Sequence, residues 1–134
     1  MKKLLYLLMI SLGLLSWKIE NPADLKLDWA FLQTTTDIDA AIAGESPVLF
    51  FKHSHKCGLS TLILDDFEKD WDIDSKTCKI VMINVWHQRD LSNYISDALG
   101  ITHHSPQVIV VQNSKVLYDK THGKIKVSGI KRAL

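Results

Sequence analysis

The sequence predicts an α/β fold, with one central mixed sheet and helices on both of its faces. Short apolar runs rich in Val, Ile and Phe alternate with amphipathic stretches of helical periodicity, as expected for strands joined by helices. The last two apolar runs are separated only by Asn113-Ser114, a turn-forming pair that indicates an antiparallel hairpin. With 134 residues, 46% of them hydrophobic, the chain suits one domain with a core of its own.

The strands are predicted where apolar runs are bounded by turn-forming residues. The run 79–85 is almost unbroken in its apolar character, as expected for a strand whose two faces are both covered. The full set of predicted strands is 27–32, 47–53, 79–85, 107–111 and 115–119.

Three helices are predicted from capping signals and apolar periodicity. Residues 36–39 resemble an N-cap with an acidic first turn and open a short helix that stops at Gly44. The second helix covers about 61–71. Asp90 is expected to cap the third, which has one apolar face and ends at Gly100.

The first 26 residues are predicted to be an apolar segment apart from the domain of residues 27–134. Two lysines precede an apolar run, 4–15, that fits a signal peptide and is short for a membrane span. No clear cleavage pattern follows the run, and no cysteine follows it for a lipid anchor. Export, membrane tethering through residues 1–20 and a plain extension therefore stay open. Whether residues 128–134 form a complete helix is also left open.

Charge and composition exclude several classes of function. A net charge of +1 is no signature of nucleic-acid binding. Two cysteines are too few for a scaffold held together by disulfides. The sequence contains neither a glycine-rich phosphate loop nor an HExxH metal motif.

One cysteine stands where a strand ends and a helix begins. Cys57 follows the run 47–53 and a polar turn, and it precedes the predicted helix 61–71. Thioredoxin-like redox proteins carry their reactive cysteine at this point, and the predicted elements follow the order of the thioredoxin-like fold. Ser60 replaces the second cysteine of a C-x-x-C motif, so the site is predicted to be monothiol. The helix amino terminus and Lys56 favour the nucleophilic thiolate.

A proline marks the start of the fourth predicted strand. Ser105-Pro106 precedes the run 107–111, at a position where proline removes no ladder hydrogen bond. In thioredoxin-like folds this proline is cis and faces the reactive cysteine; the alternative is an ordinary trans proline in a loop. In the first case the backbone N–H and C=O of Ser105 would be available to an extended substrate or thiol.

Three motifs, in order along the chain, resemble those of the monothiol bacilliredoxins, the YtxJ-like branch of the thioredoxin superfamily. KHSHKCGLS (52–60) is similar to the family's KHSTRCPIS, RDLSN (89–93) to R-x-[LI]-S-N, and HHSPQ (103–107) to HESPQ. The resemblance covers about residues 29–125. It implies a protein that removes bacillithiol, a low-molecular-weight thiol, from mixed disulfides on client proteins, as a glutaredoxin does with glutathione.

The resemblance also implies roles for particular residues and a cytoplasmic location, and we expect a monomer. Cys57 and Ser60 would be the catalytic positions. No tightly bound cofactor is implied, because bacillithiol is a co-substrate. Glycine at position 58 and histidine at position 104 depart from the family pattern and leave the preferred thiol open. The implied substrate-binding residues are His53, Lys56, Gly58, His103, Ser105 and Pro106.

Two further residues bear on the monothiol interpretation. Cys78 stands at the amino end of its predicted strand, whereas Cys57 follows the carboxyl end of a parallel neighbour. Six residues at about 3.3 Å each place those ends nearly 20 Å apart, so we expect Cys78 to be structural. Ser60 would either donate a hydrogen bond to the Cys57 sulfur or cap the helix.

A second class of function, a binding module without turnover, stays open. Cys57 and nearby histidines could hold zinc or an iron–sulfur cluster, although no histidine pair has a rigid ligand spacing. The basic tail 115–134 is either a solvated face or an attraction for an anionic thiol such as bacillithiol, which carries malate carboxylates. The histidines concerned are His53, His55, His103, His104 and His122.

Overall fold

The computed structural model describes residues 25–134, so the apolar run predicted near the amino terminus lies outside the described residues. Four strands form one mixed sheet in the order β2-β1-β3-β4. β1 pairs in parallel with β2 and antiparallel with β3, and β3 and β4 form the predicted hairpin. The strands are β1 (Val48–His53), β2 (Lys79–Asn84), β3 (Gln107–Gln112) and β4 (Lys115–Thr121).

Helices cover both faces of this sheet, which confirms the predicted fold class. Buried residues of α1 and α3 pack on one face, and those of α2 and α4 pack on the other. Residues 127–133 form the last helix, which the sequence alone had left open. The helices are α1 (Thr35–Ala43), α2 (Gly58–Asp70), α3 (Arg89–Leu99) and α4 (Val127–Ala133), with a 3₁₀ turn at His122–Lys124.

The alternation of side chains along β1 decides which layer each residue faces. Leu49 and Phe51 belong to the core beneath α2, and Val48 and Phe50 to the core beneath α1 and α3. Lys52 continues the second series and reaches Ser96 of α3. A lysine is thereby buried within an otherwise apolar strand.

The first predicted strand, 27–32, is wrong except at one residue. Only Ala30 pairs with β2, through a parallel bridge to Val81. The N–H groups of Lys26 and Leu27 donate instead to Oε2 of Glu68, at 2.9 and 3.1 Å. The indole N–H of Trp29 donates to the same oxygen at 2.9 Å. A buried carboxylate of α2 thus takes the donors that a strand would have used.

The predicted helix starts are displaced by a few residues. α1 is capped by Thr34, which accepts the Asp37 N–H while the Asp37 carboxylate accepts the Thr34 N–H. α2 begins at Gly58, directly after Cys57, and not at residue 61. The N-cap position of α3 is Gln88, which makes no side-chain capping hydrogen bond, and Asp90 lies in the first turn.

The predicted end of α3 is confirmed, because Gly100 adopts the left-handed conformation of a C-cap (φ 65°). Within residues 25–134, no helix has the length and apolar character needed to cross a membrane.

Candidate active site

The carboxyl edge of the sheet brings the three sequence motifs together. β1 and β2 end at this edge and the antiparallel β3 starts there, with Gln107 opposite Lys52. Cys57 follows β1, Arg89 starts the helix after β2, and Pro106 immediately precedes β3. Motifs separated by up to about 50 residues in sequence therefore share one edge, where α/β sheets commonly bind their ligands.

Cys57 lies at the N-cap of α2 and is partly exposed. Its N–H donates to the Ser54 carbonyl at 3.1 Å, which closes the turn after β1. Its carbonyl accepts the Thr61 N–H at 3.1 Å, the first bond of the helix. The thiol is thus held at the positive end of α2, next to the unpaired N–H groups of the first turn.

Ser60 is fully buried, and its hydroxyl holds the loop that carries Cys57. Its Oγ accepts the Ser54 N–H at 3.1 Å and lies 2.7 Å from His53 Nδ1. These bonds tie the first turn of α2 to the end of β1. They differ from both expected roles, since the hydroxyl neither reaches the Cys57 sulfur nor caps the helix in the structure.

His53 is a neutral imidazole at physiological pH. Burial, and secondly the charge of His55, lower the pKa of His53 from 6.5 to about 4. Its ring also meets the edge of Phe51, at 6.3 Å between centroids. The structure therefore places this predicted substrate-binding residue partly beneath the loop, bonded to Ser60.

The residues on either side of Cys57 are exposed. Lys56 Nζ lies 3.8 Å from the ring centroid of Trp86, a cation–π contact that holds the ammonium against the loop after β2. Gly58 is the first residue of α2, and a Cβ built there would meet no atom within 4 Å. Neither space nor a positive φ requires glycine at this position.

The loop before β3 contains a cis peptide bond between Ser105 and Pro106. The Pro106 carbonyl accepts the N–H of His122, at 3.1 Å, which joins this loop to the end of β4. Among the residues that the structure describes, the Ser105 hydroxyl oxygen is buried without a hydrogen-bond partner.

Sequence reasoning gave Gln107 no role, yet its side chain organises this loop. The amide is fully buried. Its oxygen accepts the His104 N–H at 3.0 Å, and its NH₂ group donates to the Thr102 carbonyl at 3.0 Å and to Asp119 Oδ1 at 2.9 Å. A glutamine inside an apolar run was the available signal, because buried amides are normally hydrogen-bonded.

Sequence reasoning also missed a buried polar network behind the edge. Lys52 has no exposed surface; its Nζ donates to Ser96 Oγ at 2.6 Å and lies 3.1 Å from His103 Nδ1. Burial lowers the pKa of Lys52 to about 8, against the smaller opposing effects of Asp119 and Asp97. Lys52 and His103 belong to two of the resembling motifs, and the structure brings their side chains into contact.

Cys78 is far from this edge, as predicted. It is 1% exposed, and burial raises the pKa of its thiol to about 11. The next residue, Lys79, pairs with Val48 at the start of β1, whereas Cys57 follows the end of β1. The strand length between them exceeds the reach of a disulfide.

The histidines near the site make separate contacts: His53 with Ser60, and His103 with Lys52. His55 stacks on His87 at 5.6 Å between centroids, and the His104 and His122 rings meet at 6.2 Å. In the described part of the chain, no three His, Cys, Asp or Glu side chains are placed to hold a metal ion.

The family model for the monothiol bacilliredoxin BrxC matches residues 31–130. The chain belongs to the monothiol bacilliredoxin family. This confirms the resemblance carried by the three motifs, and it identifies a thiol oxidoreductase.

Solved structures agree with the fold of this bacilliredoxin-family chain. One, described as a candidate oxidoreductase with a thioredoxin fold, is 28% identical, with a TM-score of 0.66 over 77% of this chain and 90% of the other. Malassezia sympodialis thioredoxin is 14% identical, with a TM-score of 0.62 and coverages of 80% and 92%. Trypanosoma brucei brucei thioredoxin is 13% identical, with a TM-score of 0.61 and coverages of 81% and 91%. The last two show the fold alone.

Proposed function

We propose that the protein removes a low-molecular-weight thiol, bacillithiol, from mixed disulfides on client proteins, using Cys57 as its single reactive thiol. The observation that supports this most is the separation of the two cysteines. Cys57 is partly exposed at a helix amino terminus, while Cys78 is buried at the other end of the neighbouring strand. Position 60 holds a buried serine that is bonded to His53.

The cycle consists of two thiol–disulfide exchanges. The Cys57 thiolate attacks the bacillithiol sulfur of the mixed disulfide; a Cys57–bacillithiol disulfide forms, and the client sulfur leaves as a thiolate that takes up a proton. A second bacillithiol thiolate then attacks the bacillithiol sulfur of this adduct. Cys57 leaves as a thiolate, and the product is bacillithiol disulfide. Overall, the mixed disulfide and one free bacillithiol are converted into the reduced client and bacillithiol disulfide, so the number of disulfide bonds is unchanged.

The remaining predicted site residues have supporting roles in this proposal. Backbone N–H and C=O groups of Ser105, next to Pro106, would pair with the extended thiol. Lys56 would contribute positive charge beside the thiol, and Gly58, the residue after Cys57, would border the bound thiol. His53 would keep the loop in place through Ser60, which is a positioning role.

Reduction of a client peptide carrying bacillithiol, in the presence of free bacillithiol, tests this function. Cys57→Ser should abolish turnover, and Cys78→Ser should retain most of it. Mass spectrometry of the wild type, before free bacillithiol is added, should show one bacillithiol on Cys57. Loss of turnover in a folded Cys78→Ser protein would contradict the monothiol mechanism. Absence of both adduct and turnover in the wild type would favour a binding module.

A further inference from the structure

Two nitrogen groups lie next to each other at the carboxyl edge of the sheet. Arg89, the first residue of α3, is exposed, and its Nη1 lies 3.5 Å from Nε2 of the partly exposed His103. Whether this contact is a hydrogen bond depends on which nitrogen of the imidazole carries the proton.

The buried neighbours of His103 determine which ring nitrogen of the neutral imidazole carries the proton. An ammonium group has donors and no acceptor, so the charged Lys52 at 3.1 Å from Nδ1 requires Nδ1 to accept. Lys52 remains mostly charged at neutral pH, since its pKa is about 8. A neutral imidazole that accepts at Nδ1 carries its proton on Nε2. The Ser92 hydroxyl, 3.2 Å from Nδ1, and the bond from Lys52 to Ser96 keep this arrangement in place.

His103 Nε2–H and the Arg89 guanidinium are therefore two donors side by side. No carboxylate within residues 25–134 forms an ion pair with Arg89, His103 or Lys52. Burial, followed by the charges of Lys52 and Arg89, lowers the pKa of His103, which agrees with a local excess of positive charge. A carboxylate would accept from both donors, and the planar guanidinium suits that geometry.

From this juxtaposition we infer a carboxylate-binding subsite formed by Arg89 and His103, with Lys52 as the residue that positions the His103 ring. Its ligand is a carboxylate of the low-molecular-weight thiol, an inference that rests on the proposed function. Bacillithiol carries malate carboxylates, so it has the required group. Cys57 and the subsite share the carboxyl edge of the sheet: Cys57 stands at the start of α2, Arg89 at the start of α3, and His103 in the loop before β3. A thiol bound to Cys57 would have to extend along this edge for its carboxylate to reach the subsite.

Two disulfide substrates with the same client peptide isolate the effect of the malate carboxylates on KM. One carries bacillithiol, and the other carries its analogue in which a methyl group replaces malate. Arg89→Gln should raise KM about tenfold for the bacillithiol substrate, the effect of losing one charge-assisted hydrogen bond, and leave KM for the analogue unchanged. Lys69→Gln removes the same charge from the exposed last turn of α2 and should change neither value.

The alternative outcomes each overturn the inference in a distinct way. An equal rise in KM for both substrates would assign Arg89 to a client carboxylate. A similar selective rise in Lys124→Gln would assign the effect to general attraction by the basic tail. Unchanged KM in Arg89→Gln, with normal wild-type turnover, would remove the subsite and leave the proposed function standing. No turnover of either substrate by the wild type would overturn both.

Discussion

Replacing Ser60 by cysteine should give a site that resolves its own adduct. Cys57 is the N-cap of α2, and position 60 is the third residue of the helix. Side chains three residues apart on a helix have Cβ atoms about 5–6 Å apart, and small backbone adjustments bring such pairs within disulfide geometry. The introduced thiol can then attack the Cys57 sulfur of the adduct, which joins the two protein sulfurs in a disulfide and releases bacillithiol.

The substitution also has a structural cost that follows from the contacts of Ser60. Its fully buried hydroxyl serves both the Ser54 N–H and His53 Nδ1. Leaving a buried partner unsatisfied costs about 1–3 kcal/mol, and a thiol, being a weak donor and acceptor, recovers part of this. We therefore expect Ser60→Ala to lower the free energy of unfolding by about 2 kcal/mol or more, and Ser60→Cys in its reduced form by less.

The mass of the protein after reaction with a bacillithiol mixed disulfide separates resolution from destabilisation. Ser60→Cys should lose two hydrogens, whereas wild type and Ser60→Ala should each gain one bacillithiol. Ser60→Ala is the matched control, because it loses the hydroxyl without gaining a thiol. A stable adduct on a folded Ser60→Cys protein, with the introduced thiol shown to be reduced by alkylation after denaturation, would refute the placement of position 60 near Cys57.

Two further variants test the stability of the same loop. Gly58→Pro should raise the free energy of unfolding above that of wild type by about 0.4–1 kcal/mol in denaturant titrations. The reason is that proline suits the first helical position, and Cys57 (φ −108°, ψ 115°) already has a backbone compatible with a following proline. A free energy of unfolding no higher than that of wild type would contradict this. For His53, the folded pKa of about 4 lies below the unfolded value of 6.5. The contribution of its neutral imidazole to the free energy of unfolding is therefore fully present above pH 6.5 and is lost as the pH falls toward 4. The total loss is limited to about 3 kcal/mol. His53→Gln should flatten that part of the stability curve, and curves of equal slope would show that another group is responsible.

Much of the fold was predictable because its signals are local. The four strands of the sheet and the end of α3 at Gly100 follow from apolar runs, turn residues and a C-cap glycine. The strand predicted at 27–32 failed because its polarity pattern carries no information about Glu68, some 40 residues away. That carboxylate captures the backbone donors and reduces the strand to a single bridge at Ala30.

The candidate site also has parts that the sequence predicts and parts that it does not. The position of Cys57 between a strand and a helix was predictable from the sequence, and the sequence also shows that position 60 holds no second cysteine. The partners of Ser60 were not, because its hydroxyl turns back toward His53 once the helix starts at residue 58. Motif resemblance marked His103 without a physical reason, and the contact with Lys52 supplies one.

The sequence by itself determined the four strands of the sheet, the order of the helices between them, and the place of Cys57 between a strand and a helix, since periodicity, turn residues and cysteine spacing are properties of the chain. Tertiary structure decided which polar groups meet. The pairs Lys52–His103 and Lys52–Ser96 join residues 51 and 44 positions apart, which only strand register and helix packing bring together. A shift of one residue in β1 would turn Lys52 to the other face and break both, which is why no local pattern could predict them.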